Sequence, residues 1–139
     1  MCGGQTGNTV LAKVAVSAIW QLQQQIERDP ILYLEDIVLS MKRVQEYITG
    51  LDFQKFKWDY KTVDAVVRNF EIIGEATKNL PKDLKEKYPN VPWEEMYRLR
   101  NRISHEYFGI DYEIIWDITT KYLPKNQKDL IEILEKEKL

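Results

Sequence analysis

A chain of 139 residues has the length of one domain that can bury a core without disulfides or metals, and its single cysteine, Cys2, excludes a disulfide framework and a cysteine-based zinc site. Twenty Lys plus Arg against 22 Asp plus Glu leave a net charge of -2, so no broad positive field attracts nucleic acid, and any RNA site must be a local patch or be shared between subunits. No apolar run approaches the roughly 18 residues that cross a bilayer, since VLAKVAVSAIW is short and carries Lys13, and neither a basic leader nor a small-residue cleavage site marks a signal peptide. The expectation is a soluble cytoplasmic protein without a membrane partner.

In chain order, residues 1–27 read as an extension and residues 28–139 as a helical domain. The glycine-rich start MCGGQTGN precedes Val10 to Ile26, an alanine- and glutamine-rich stretch expected to be helical and to pack on the bundle or mediate oligomerisation. A misassigned start competes with both readings. GGQTGNT lacks the Gly-Lys-Ser/Thr ending of a phosphate loop.

From Pro30 to about Ile48, Ile31, Leu34, Ile37, Val38, Met41, Val44 and Ile48 recur at threes and fours, the spacing of one helical stripe. Asp29 and Pro30 supply its cap and first turn, and Gly50 its stop. A second stripe runs through Val63, Val66, Val67, Phe70, Ile73 and Leu80 to Pro81. Gly74, inside it, costs on the order of 1 kcal/mol relative to alanine and is expected to permit a close helix approach.

The prolines of PKDLKEKYPNVP allow at most a brief helix before WEEMYRLRNRISHEYF resumes the pattern. Gly109 and Asp111 then give a break and a fresh cap. DYEIIWDITTKYL forms the next helix, and Pro124 is expected to separate it from a last amphipathic helix, KNQKDLIEILEKEKL. With no strand series, no internal repeat and no low-complexity tract, the fold class is all-α, an antiparallel helical bundle.

RLRNRISHEYFGID gathers Arg98, Arg100 and Arg102 around the only histidine, His105. At about 100° per residue, Met96, Leu99 and Ile103 share an apolar arc with Arg100 and Tyr107 at its edge, while Arg98, Asn101, Arg102 and His105 share a second arc. Arginines alone would read as a solvated helix face. Histidine exchanges protons near neutral pH, and the planar guanidinium fork suits a phosphate. Asn101, four residues before His105, can orient the imidazole or a substrate oxygen.

These residue types suit metal-free cleavage of an RNA phosphodiester, with a proton taken from the 2'-hydroxyl or given to the leaving oxygen while cations stabilise the phosphorane. One histidine and scattered carboxylates make a poor metal ligand set, and Asp111, Glu113 and Asp117 read as capping and surface residues. On a straight helix, however, Arg100 and His105 point about 140° apart. Either the helix deforms toward Gly109 or two chains combine their sites.

The run Arg100-Asn101-Arg102-Ile103-Ser104-His105-Glu106-Tyr107 fits R-x(4)-H-x-Y and resembles the signature of HepT toxins in the HEPN superfamily. RDPILYLEDIVLSMKRVQEYI, FEIIGEATKNLP and VPWEEMYRLRNRISHEYFGID resemble family segments in the same order, over roughly residues 28 to 139. The resemblance implies a HEPN-type homodimer acting as a metal-independent endoribonuclease, the toxin of a toxin-antitoxin pair, with no cofactor. Arg100 and His105 would be catalytic, Asn101 would match the polar residue after that arginine, and Arg98 and Arg102 would assist RNA binding or solvate the surface.

The implied partner is an MntA-like nucleotidyltransferase antitoxin, bound in a larger complex, that moves AMP from ATP to Tyr107. On spacing alone Tyr107 reads equally well as an amphipathic residue at the core edge. Some HEPN domains are non-catalytic binding modules, and a module that positions such a nucleotidyltransferase is the alternative function. The N-terminal extension departs from the family pattern.

Overall fold

The computed structural model describes residues 10–19, 28–105 and 111–139, of which 101–105 are described by backbone alone. Helix α1 (10–19) leaves Val10, Leu11, Val14, Val16 and Ile19 exposed. The rest of the helix expected to reach Ile26, and the glycine-rich start, lie outside the described residues.

Helix α2 (Pro30–Ile48) begins where capping chemistry predicts. The Asp29 carboxylate accepts a 3.0 Å hydrogen bond from the Ile31 N–H, satisfying one of the donors that a helix start leaves unpaired. Leu34, Ile37, Val38, Met41 and Val44 are buried along its inner stripe. Past Thr49, Gly50 turns the chain at φ +79°, a left-handed conformation that costs glycine little.

Helix α3 (Phe53–Trp58) is too short to carry a period and was not expected from the sequence. Its signal is local: Asp52 accepts from the Lys55 N–H at 2.8 Å. Phe56 is fully buried, with its ring centroid 5.1 Å from that of Trp116. Asp59 then caps helix α4 (Tyr60–Asn79), accepting from the Thr62 N–H at 3.1 Å and from its hydroxyl at 2.7 Å.

Helix α4 is the centre of the arrangement, packing on α2 to one side and on helix α6 (Trp93–His105) to the other. Val63, Val66, Val67, Phe70 and Ile73 point inward, as their spacing predicts. Burying a side chain of this size stabilises by about 1.5–3 kcal/mol. Between α4 and α6, the brief helix α5 (Lys82–Lys87) fits between its prolines, and the Trp93 indole N–H donates to the Tyr88 carbonyl at 2.9 Å.

The chain's last third corrects one expectation. Asp111 caps helix α7 (Tyr112–Asp117) through the N–H groups of Glu113 and Ile114, but Pro124 does not divide the helix that follows. A π-helical turn (Ile118–Tyr122) leads straight into helix α8 (Leu123–Lys138), and Pro124 occupies the first turn of α8. The Leu123 N–H reaches back five residues to the Ile118 carbonyl. A widened turn relieves the clash between a proline ring and the carbonyl four residues earlier, so the helix continues where an α-helical register would break.

Helix α8 packs on α2 in antiparallel sense, with Lys138 near its end 3.2 Å from Glu35 near the start of α2. Inward residues of α2, α3, α4, α6, α7 and α8 join one hydrophobic cluster, and no strand occurs among the described residues. The architecture is the all-α fold expected of a HEPN-type bundle. Among the described residues, no helix is long and apolar enough to cross a membrane.

Candidate active site

Helix α6 carries the arginine and histidine stretch, and its first turns divide as the helical projection predicts. Met96 is buried and Leu99 packs against the core, while Arg98 faces solvent and pairs with Glu94 one turn earlier at 3.6 Å. Arg100 lies at the boundary between the two faces, where α6 crosses α4.

That crossing is tight because of Gly74. A Cβ at this position would lie 2.7 Å from the Arg100 Cβ, 3.1 Å from the Arg100 backbone nitrogen and 3.3 Å from the Tyr97 carbonyl oxygen. All three atoms are rigidly tied to the α6 backbone, so a side chain at 74 would force the helices apart. The close approach foreseen for Gly74 thus occurs, and it occurs against Arg100.

The neighbouring Glu75 makes the second contact. Its carboxylate lies 2.6 Å from an Arg100 terminal nitrogen, with both side chains partly exposed. An ion pair open to water contributes about 0–1 kcal/mol to stability, so its consequence here is chiefly orientation of the guanidinium. Glu75 belongs to FEIIGEATKNLP, but its spacing alone gives it no partner. Only the crossing of α4 and α6 brings it to Arg100.

Arg100 opens onto a groove of about 520 Å³ that runs over the outer face of α4 between α2 and α6. Arg68, Glu71, Glu75 and Asn79 contribute from α4, with Tyr33 and Asp36 from α2. Arg28, just before α2, lies 2.8 Å from Asp36, and its guanidinium carbon is 4.8 Å from the centre of the Tyr33 ring. The Asp36 hydrogen bond holds the Arg28 guanidinium above its ordinary pKa. Arg68 pairs with Glu71 at 3.3 Å. The spacing of Arg68, Glu71 and Glu75, opposite the valine and phenylalanine stripe, was the available sequence signal for this face.

The structure therefore brings Arg100 together with Glu75 and the groove, and leaves Arg98 on the solvent side. The α6 backbone is helical to His105. The side chains of Asn101, Arg102 and His105, and the whole of Tyr107, lie outside the described residues, as does Gly109. Among the described residues, no three His, Cys, Asp or Glu side chains form a metal-binding group.

Comparison with known proteins then decides the family. The family described as ribonuclease HepT-like matches residues 37–136, from α2 to α8 and across the whole arginine and histidine stretch. This chain belongs to the ribonuclease HepT-like family. HepT-like relatives include one named "Putative RNase" in Methanocaldococcus jannaschii, 46% identical over 109 residues that cover 78% of this chain and 90% of the relative. Another of that name, in Caldanaerobacter subterraneus subsp. tengcongensis, is 44% identical over 111 residues, covering 80% of this chain and 99% of the relative. A protein named "Probable ribonuclease HepT" in Thermococcus cleftensis is 42% identical over 92 residues, covering 66% of this chain and 84% of the relative. No solved structure matches the chain significantly.

Proposed function

We propose that this HepT-like chain is a metal-independent endoribonuclease and the toxin half of a toxin-antitoxin pair. The observation that carries the reading is Arg100, clamped at the α4–α6 crossing by Gly74 and Glu75 and opening onto a groove. A guanidinium oriented before substrate arrives stabilises charge on a phosphorane without reorganising at the moment of reaction. Membership of the ribonuclease HepT-like family, and relatives named as ribonucleases, support the same chemistry.

In the proposed reaction His105 takes the proton of a ribose 2'-hydroxyl. The 2'-oxygen attacks phosphorus, the bond from phosphorus to the 5'-oxygen breaks, and an acid returns a proton to that leaving oxygen. The products are a 2',3'-cyclic phosphate and a 5'-hydroxyl. Arg100 holds the phosphoryl oxygens, while Asn101 orients the imidazole or substrate, and Arg98 and Arg102 attract RNA. Because Arg100 and His105 diverge by about 140° on a straight helix, the reading includes a homodimer in which two histidines serve as base and acid.

Control is assigned to an MntA-like nucleotidyltransferase antitoxin that transfers AMP from ATP to the Tyr107 hydroxyl, releasing pyrophosphate. An adenylate beside the arginines occupies donors that RNA phosphate needs, because its own phosphate competes for them.

The deciding experiment incubates purified protein with RNA in EDTA. Wild type is expected to yield cyclic-phosphate ends, and His105→Ala to lose cleavage while its thermal melt is unchanged. Equal cleavage by the variant sinks the catalytic assignment. A wild-type dimer of unmodified intact mass that binds a nucleotidyltransferase but leaves RNA whole would favour the non-catalytic module.

A further inference from the structure

The outer face of α4 has a charge pattern that phosphate binding by Arg100 does not explain. Among the described residues, three arginines line the groove, Arg28, Arg68 and Arg100, and each lies within 3.3 Å of a carboxylate, on Asp36, Glu71 and Glu75 respectively. Three cations and three anions cancel. A track for successive backbone phosphates would instead leave its positive charge uncompensated, since phosphate affinity comes from neutralising charge and releasing counterions.

What the groove presents is three guanidinium donors, each beside a carboxylate acceptor. That pattern suits the edge of a nucleobase. Arginine donates to base acceptors, and a carboxylate accepts from an exocyclic amino group. Arg28 against the Tyr33 ring adds a flat guanidinium and aromatic platform of the kind on which unpaired bases stack. Ile72 and Ala76 contribute apolar lining between the charged residues. The groove's 520 Å³ falls within the range of about 300–1,000 Å³ typical of small-ligand sites.

We propose that this groove is a subsite for one unpaired RNA base adjoining the phosphate held by Arg100, and that its carboxylates select bases with an exocyclic amino group, adenine, cytosine or guanine, over uracil. The inference rests on the ribonuclease reading for its connection to cleavage, because Arg100 is shared by the groove and the reacting phosphate. Glu75 holds the Arg100 that the phosphate needs, so the base-reading role is assigned to Asp36 and Glu71, whose pairs with Arg28 and Arg68 run through Oδ2 and Oε2 and leave each carboxylate further lone pairs to accept from a base.

The test separates base selection from cutting. Full-length His105→Ala protein is titrated in EDTA, at one fixed salt concentration, into labelled twelve-nucleotide oligomers of A, C or U, with binding read by fluorescence anisotropy. The A and C oligomers are expected to bind at least about fivefold more tightly than U, and Asp36→Asn with Glu71→Gln to bring all three within about twofold. The two substitutions lie on exposed or half-buried helix surface, and each single variant is expected to reduce the ratio if the pair melts early. Using the ratio cancels the uniform change in affinity that any altered charge brings.

Equal binding of the three oligomers by the parent, binding of none, or a ratio that survives in the variants overturns the subsite. Cleavage assays of wild type in EDTA on the same oligomers keep the two readings apart. Base selection without any cutting rejects the ribonuclease and retains the subsite. Cutting without base selection does the reverse.

Discussion

The α4–α6 crossing and the junction of α7 with α8 each contain a residue that ordinarily interrupts a helix, and they absorb it in opposite ways. Gly74 leaves α4 regular and lets α6 approach until Arg100 meets the space a Cβ would fill. Pro124 leaves no such choice, because it lacks an N–H and its ring crowds the preceding turn, so the backbone widens into a π turn over Ile118–Tyr122. Glycine's cost is conformational entropy, offset wherever a partner fills the vacated space. Proline's cost is steric and must be met by the backbone. The first device fixes a candidate catalytic side chain, and the second keeps α8 continuous against α2.

The largest effect that would test this contrast comes from Gly74→Ala. The new methyl meets atoms fixed to the α6 backbone, so about 1–3 kcal/mol of stability should be lost in denaturant unfolding. Cleavage at a temperature where the variant remains folded should fall by about tenfold or more, because displacement of Arg100 by a fraction of an ångström misaligns the site. A stable variant with unchanged cleavage would mean that the close crossing does not position Arg100.

At the other junction the effects are smaller. Thr119 is fully buried and its hydroxyl donates to the Ile115 carbonyl at 2.8 Å, whereas Thr120 makes the same bond to Trp116 at the surface. Thr119→Val is expected to cost about 1 kcal/mol in the same unfolding assay, and Thr120→Val less than about 0.5 kcal/mol. Pro124→Ala should move Tm by less than Thr119→Val does, since the π turn already accommodates the ring. A rise of Tm well beyond that size would reveal strain stored at the proline.

The smallest expected effect is a pH dependence at the start of α4. The Thr62 hydroxyl and N–H hold the Asp59 carboxyl below the usual carboxylate range. Its stabilisation is therefore complete above an ordinary carboxylate pKa of about 4, and is lost as pH falls through the depressed folded value. The Tm difference between wild type and Asp59→Asn should shrink across that acid range. A constant difference would assign the cap's worth to shape rather than to charge.

Much of the bundle was legible because helix signals are local and periodic. The Asp29 and Asp111 caps, the Gly50 stop and the inward stripes of α2 and α4 follow from side-chain spacing and backbone donors that need no distant partner. Helix α3 carries no such signal, because six residues hold less than two turns and Phe56 has no repeat within them. At Pro124 the sequence predicts a break and the structure shows a continuous join, because local propensity records the cost of proline but not the wide turn that meets it.

The sequence by itself determined the helices, the inward faces and the position of Arg100 at the edge of a packing stripe, since each depends on intervals within one segment. Only the tertiary structure decided that Gly74 would admit α6, that Glu75 would meet Arg100, and that Arg28, Tyr33 and Asp36 would face Arg68 and Glu71 across one groove. Those relations join residues from separate helices, and the packing of α2 and α6 on either side of α4 brings them within reach.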